Sequence, residues 1–161
     1  MHHQDTPITH KGSELQTAHR DWLNSKQLSH FVTLNFHSPY SDSAARQCLR
    51  LWSMDVESRV FRTQRFKSLA PEDRFIFYCY PEFTLHYEPH FHLLCFVHEE
   101  RRKHFDRTGA RLWHRLVPSG TADLQRIQDS QADRETVIDY TTKIANRAAS
   151  HDSFIVSTML H

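Results

Sequence analysis

The sequence predicts an α+β domain in which helices flank a mainly antiparallel β-sheet of about five strands. Runs of β-branched and aromatic residues of strand length alternate with stretches whose apolar residues recur at helical spacing. Two of the runs, Arg74–Tyr80 and His90–Val97, are joined by a short link bounded by Pro81 and Pro89, the pattern of a hairpin. An apolar share of 39%, with 12% aromatic residues, is enough to build a core in a chain of 161 residues.

Residues 1–12 are polar and aperiodic and read as a flexible arm, which leaves 13–161 as a single domain. Ser13–Gln27 can form a short helix, and Phe31–Phe36 is the first strand, ended by Pro39. Ser41 or Ser43 caps a helix to about Val60, because Ala45, Cys48, Leu49, Trp52 and Val56 recur along one face. The strands Arg74–Tyr80 and His90–Val97 follow, with Pro81–Pro89 as the turn region. Glu99–Leu116 reads as a surface helix interrupted near Gly109, and Pro118-Ser119-Gly120 breaks it. Ala122–Ile127 alternates like an edge strand, and Asp133–Arg147 is a helix with Val137, Ile144 and Ala148 on one stripe. The last dozen residues fit either class.

No apolar run approaches the roughly 18 residues that cross a membrane, so no membrane association is expected. The N-terminus lacks the apolar stretch of a secretory signal, and an intracellular setting is expected. Cys48, Cys79 and Cys95 are odd in number and widely spaced, which argues against disulfides and a cysteine zinc site. A net charge of +1 neither requires nor excludes a nucleic-acid partner.

His90 and His92 stand two apart on a strand, so both imidazoles leave the same face and Phe91 leaves the other. With fourteen histidines in the chain, about one such pair arises by chance, and the pair alone is a weak signal. A hard divalent ion prefers a carboxylate beside two imidazoles, and Glu82 and Glu88 both lie in reach of a hairpin. Tyr140 and Lys143, three apart on the last helix, are neighbours, and Tyr140 shares a face with Val137 and Ile144 that points to the sheet rather than to solvent. A tyrosine hydroxyl attacks poorly at its usual pKa near 10, so such chemistry needs a metal to polarise its target and a cation to steady the phenolate.

The combined pattern resembles the HUH endonucleases, in particular the initiators of rolling-circle replication. Phe31-Val32-Thr33-Leu34-Asn35-Phe36 is similar to the family's first motif, with Leu34-Asn35 where many plant-virus members have Tyr-Pro. Glu88-Pro89-His90-Phe91-His92-Leu93-Leu94 resembles the second motif and Tyr140-Thr141-Thr142-Lys143 the third. The resemblance implies an HUH/RRM-like, ferredoxin-like sheet and a carboxylate ligand eight positions before His90, which is Glu82, with Glu88 and His86 as lesser candidates. It further implies Mg²⁺ or Mn²⁺, attack by Tyr140 assisted by Lys143, a 5′-phosphotyrosine intermediate and a free 3′-hydroxyl.

Implied partners are single-stranded or hairpin origin DNA, a separate helicase and a host polymerase. The setting would be cytoplasm for a bacterial, phage or plasmid protein and the host nucleus for a eukaryotic virus. Expected DNA contacts are Thr33 and Asn35, the run Arg62, Arg65 and Lys67, and the run Arg101, Arg102 and Lys103. Related readings are a single-tyrosine transposase, which typically has Gln where Lys143 stands, and a relaxase, whose tyrosine lies near its N-terminus. Zinc deaminases need a Cys-x-x-Cys segment that is absent here. A reading of another class is a non-catalytic single-stranded DNA or RNA binder with Phe31, Tyr78 and Phe91 as stacking platforms.

Overall fold

The computed structural model describes residues 10–62, 74–128, 130–147 and 154–160. In chain order these form α1 (His10–Asn24), β1 (His30–Asn35), α2 (Asp42–Val60), β2 (Ile76–Phe83), β3 (Pro89–Phe96), α3 (Glu99–Leu116), β4 (Thr121–Arg126), α4 (Gln131–Arg147) and β5 (Ile155–Val156). The strands make one sheet in the order β4-β1-β3-β2-β5, and every neighbouring pair is antiparallel. The unit β1-α2-β2-β3-α3-β4 is therefore a split βαβ, ferredoxin-like arrangement, as the sequence predicts. Among the described residues no helix is long and apolar enough to cross a membrane.

Alternation along the strands sorts side chains into two cores. Val32 and Leu34 of β1, Phe77 and Cys79 of β2 and Phe91, Leu93 and Cys95 of β3 pack with Trp52 and Val56 of α2 and Phe105 and Trp113 of α3. The other face carries Tyr78, Tyr80 and Leu94 under Leu23 of α1 and Ile138 and Ile144 of α4. Each large side chain buried in this way contributes about 1.5–3 kcal/mol. Ser41 caps α2 by accepting a hydrogen bond from Ala44 N at 3.2 Å, a contact that contributes about 1 kcal/mol.

Boundaries differ from the sequence reading in instructive places. β2 runs through Pro81 to Phe83, where a turn is expected. Proline is tolerated there because β5 pairs only with Tyr78 and Cys79, which leaves that stretch of β2 as a sheet edge. α3 passes Gly109 without interruption. A Cβ at Gly109 would stand 2.6 Å from Leu124 Cδ2, and its carbonyl accepts from Trp52 Nε1 at 3.0 Å, so the glycine serves close packing rather than a break. The ambiguous C-terminus supplies β5. α1 begins at His10, inside the stretch expected as an arm; residues 1–9, and Ala148 of the expected α4 stripe, lie outside the described residues.

At one end of β1, fully buried His30 joins three elements. Its Nε2 lies 3.0 Å from Asp106 Oδ1 of α3, its Nδ1 lies 2.9 Å from Ser29 Oγ, and Arg126 of β4 donates to Asp106 Oδ2 at 2.9 and 2.6 Å. Burial lowers the His30 pKa more than the Asp106 carboxylate raises it. Burial also lowers the pKa values of His19 and His92.

Two outcomes are expected. Gly120 abuts Asn35 O at 2.5 Å and Trp113 Nε1 at 2.8 Å from where a Cβ would sit, so Gly120→Ala should cost about 1–3 kcal/mol in urea unfolding. The three lowered histidines favour the neutral form in the fold, so the unfolded chain binds protons first. Their contribution is complete above the ordinary histidine value of about 6.5 and is lost as pH falls below it. The unfolding midpoint should decline on acidification, with a shallower decline in His30→Gln.

Candidate functional site

The strand register builds the site row by row on the α1/α4 face. Glu82, His90, Asn35 and Thr121 stand opposite one another across β2, β3, β1 and β4. Tyr80, His92, Thr33 and Asp123 form the next row. Directly opposed residues share a face, and so do residues two apart, so these side chains all leave the same side of the sheet.

His92 lies at the centre and is almost wholly buried. Its Nε2 is 3.1 Å from Glu82 Oε2 and its Nδ1 is 3.4 Å from Thr33 Oγ1. Burial lowers its pKa, and nearby His90 lowers it further, against the raising effect of Glu82. A neutral imidazole has one N–H and a carboxylate only accepts, so Nε2–H donates to Glu82 and Nδ1 accepts from the Thr33 hydroxyl. The Phe31 ring lies parallel to the imidazole, with centroids 6.1 Å apart.

Tyr140 reaches this cluster from α4. Its ring meets His92 edge-on at 5.5 Å and Phe31 at 5.8 Å. The buried stripe of α4 is Ile138, Thr141, Thr142 and Ile144, and the threonine hydroxyls return to the Ile138 carbonyl at 2.9 and 2.7 Å. Tyr140 sits at the edge of that stripe and is 46% exposed, which corrects the expectation that it points to the sheet and away from solvent. It touches the sheet and faces water at once. Lys143 is exposed one turn further on, and Arg20 of α1 holds Asp139 at 2.9 Å, tying α4 to α1 beside the tyrosine.

The donors fit a hard divalent ion in kind and in face, with two imidazoles, a carboxylate and two of the three heads already converging. They are not gathered around one point: among the described residues no three His, Cys, Asp or Glu side chains stand together as a ready ligand set. The register separates the two carboxylate candidates. Glu82 pairs across from His90 and contacts His92, whereas Glu88 lies in the loop, where its backbone N–H donates to Thr84 Oγ1 at 3.2 Å. His86, in the same loop, is exposed.

The expected DNA contacts divide. Thr33 and Asn35 lie on the site face, and Asn35 Nδ2 donates to Thr121 Oγ1 at 3.3 Å. Arg101, Arg102 and Lys103 belong to α3, which packs on the opposite face and starts beyond the far end of β3; Arg102 Nε donates to Val97 O at 3.0 Å. Arg62 follows α2 in that same layer, so none of these four cations is brought to the histidines. Arg65 and Lys67 lie outside the described residues. Of the three proposed stacking aromatics, Phe91 is core and Tyr78 is covered by Trp22 at 4.7 Å, leaving only Phe31 partly open.

Sequence reasoning missed Thr121, Asp123 and the pair formed by Tyr80 and His19, whose OH and Nε2 are 2.8 Å apart. The polar alternation Thr121, Asp123, Gln125 on the edge strand was the available signal for the first two. Compared with protein-family models, curated proteins and solved structures, the chain matches none of them.

If Glu82, His90 and His92 hold an ion, Mn²⁺ should raise the unfolding midpoint by binding the folded chain, and Glu82→Ala should remove most of that rise. Calorimetric scans showing the same rise for both proteins would place any bound ion elsewhere.

Proposed function

We propose that this chain nicks and rejoins single-stranded DNA at the origin of a rolling-circle element, through a tyrosine that becomes covalently linked to the 5′ end. The observation that supports this reading best is the contact between Tyr140 and His92, whose rings stand 5.5 Å apart although 48 positions separate them in sequence. A structural aromatic on an amphipathic helix gains most by being buried, yet this one remains half open against His92, whose Nε2 lies 3.1 Å from Glu82 Oε2.

In this reading Glu82, His90 and His92 would hold Mg²⁺ or Mn²⁺, which would supply Lewis-acid polarisation of the scissile phosphate. With the ion on Nε2 the ring proton would sit on Nδ1, which would donate to Thr33 Oγ1, 3.4 Å away, the kind of outer support that imidazole ligands need. The Tyr140 oxygen forms a bond to phosphorus as the bond from phosphorus to the 3′-oxygen breaks. The phenolic proton passes to solvent, which the exposed ring admits, and the departing 3′-oxygen takes a proton from water. The ammonium of Lys143 steadies charge on the phenolate. Reversal by a 3′-hydroxyl restores the phosphodiester without ATP, because the phosphotyrosine bond retains the energy of the bond it replaced. The partners of this reading are single-stranded or hairpin origin DNA, a helicase encoded separately and a host polymerase.

The test is a denaturing gel of protein incubated with Mn²⁺ and labelled single-stranded oligonucleotides. Wild type should form a covalent adduct and Tyr140→Phe none, while Lys143→Ala should slow formation about a hundredfold. Adducts of equal yield from wild type and Tyr140→Phe would sink the assignment.

A further inference from the structure

Six large apolar side chains are exposed among the described residues, and three of them, Phe83, Leu85 and Tyr87, fall within the single hairpin that carries Glu82. Leu85 is 97% exposed and Tyr87 is 75% exposed. The loop that presents them is firmly built. Thr84 N donates to Glu88 O at 3.1 Å, Tyr87 N donates to Thr84 O at 3.0 Å, and Thr84 Oγ1 accepts from the backbone of His86 and Glu88. A second tie comes from the loop before α2, where Tyr40 N donates to Tyr87 O at 3.4 Å.

Tyr87 holds φ at 59°, a left-handed conformation that suits Gly or Asn and that a bulky aromatic adopts only at a cost. A braced loop thus carries an aromatic ring at a strained position and leaves it in water. Neither choice helps folding, since a polar residue at 85 and Asn at 87 would serve the turn better.

Charge narrows what the tip can receive. From Glu82 to His90 the hairpin has no Lys or Arg and two glutamates, so it offers no fixed cation to grip a phosphate or an anionic lipid surface. A leucine and a tyrosine ring instead suit the face of an uncharged planar group. Leu85 lies three residues beyond Glu82, in the turn, and so no more than roughly 10 Å from it even at the full rise of a strand.

We infer that Leu85 and Tyr87 form a stacking clamp for an unpaired nucleobase flanking the scissile phosphate, so that the β2–β3 hairpin fixes where the strand leaves the site. The inference rests on the single-stranded substrate of the proposed function, and base stacking on such platforms needs no base-specific hydrogen bond.

The experiment measures anisotropy of a labelled random-sequence single-stranded oligonucleotide pool with Tyr140→Phe as the parent, and with Leu85→Ala and Tyr87→Asn added to it. Tyr87→Asn removes the ring while suiting the backbone, and both side chains are exposed, so the fold is spared. The double change should raise Kd about tenfold and leave weak binding of duplex DNA unaltered. Equal Kd values for parent and variant would overturn the clamp even if wild type forms the covalent adduct. Hairpin-dependent binding by a wild type that forms no adduct would uphold the clamp and overturn nicking, and absence of any single-strand binding would overturn both.

Discussion

The register of β3 between β1 and β2 is the constraint on which the rest depends. With Leu34 opposite Phe91 and His92 opposite Thr33, Phe91, Leu93 and Cys95 enter the core beneath α2 and α3, while His90, His92 and Leu94 leave on the other side. A slip of one residue would exchange the two sets, burying both imidazoles among Phe36, Trp52 and Trp113 and exposing three apolar side chains. The unpaired polar groups and lost apolar burial would each cost several kcal/mol, so the register that holds the core also fixes the site.

The two faces use this scaffold differently. The α2/α3 side is filled with interlocking aromatics: Phe36 meets Trp113 at 4.9 Å, and Phe75 packs on Phe77 at 5.3 Å and on Phe105 at 5.4 Å. The α1/α4 side is half core and half polar ledge. At its closed end Trp22, Tyr78 and Phe154 pack closely, and at its open end Glu82, His90, Asn35 and Thr121 lie in a row beside Tyr140. Buried His92 at the boundary is neutral, held between a carboxylate and a hydroxyl, and screened from water by Phe31 and Tyr140.

That arrangement separates positioning from access. Strand pairing gives the Glu82 and His92 heads little latitude, whereas Tyr140 rides on a helix edge anchored by Arg20 and Asp139 and remains open to solvent. The hairpin beyond Glu82 extends the same logic outward, with a backbone locked by Thr84 and side chains left in solvent.

The sequence alone determined the α+β class, the strand that carries both imidazoles, a serine cap for α2 at position 41 or 43 and the shared helix of Tyr140 and Lys143, because period and capping are local properties. It could not choose between Glu82 and Glu88 from the residues, since both fall within reach of a hairpin, and only cross-strand pairing put Glu82 beside His90 and against His92. Nor could it place the basic runs. A charge run looks the same on either layer, and tertiary packing set Arg101, Arg102 and Lys103 on the face away from the histidines. Gly109 misled because a glycine that permits close approach and one that ends a helix are identical until the neighbouring element is seen. Local chemistry specified which elements form, and the sheet register, a long-range property, decided which side chains meet.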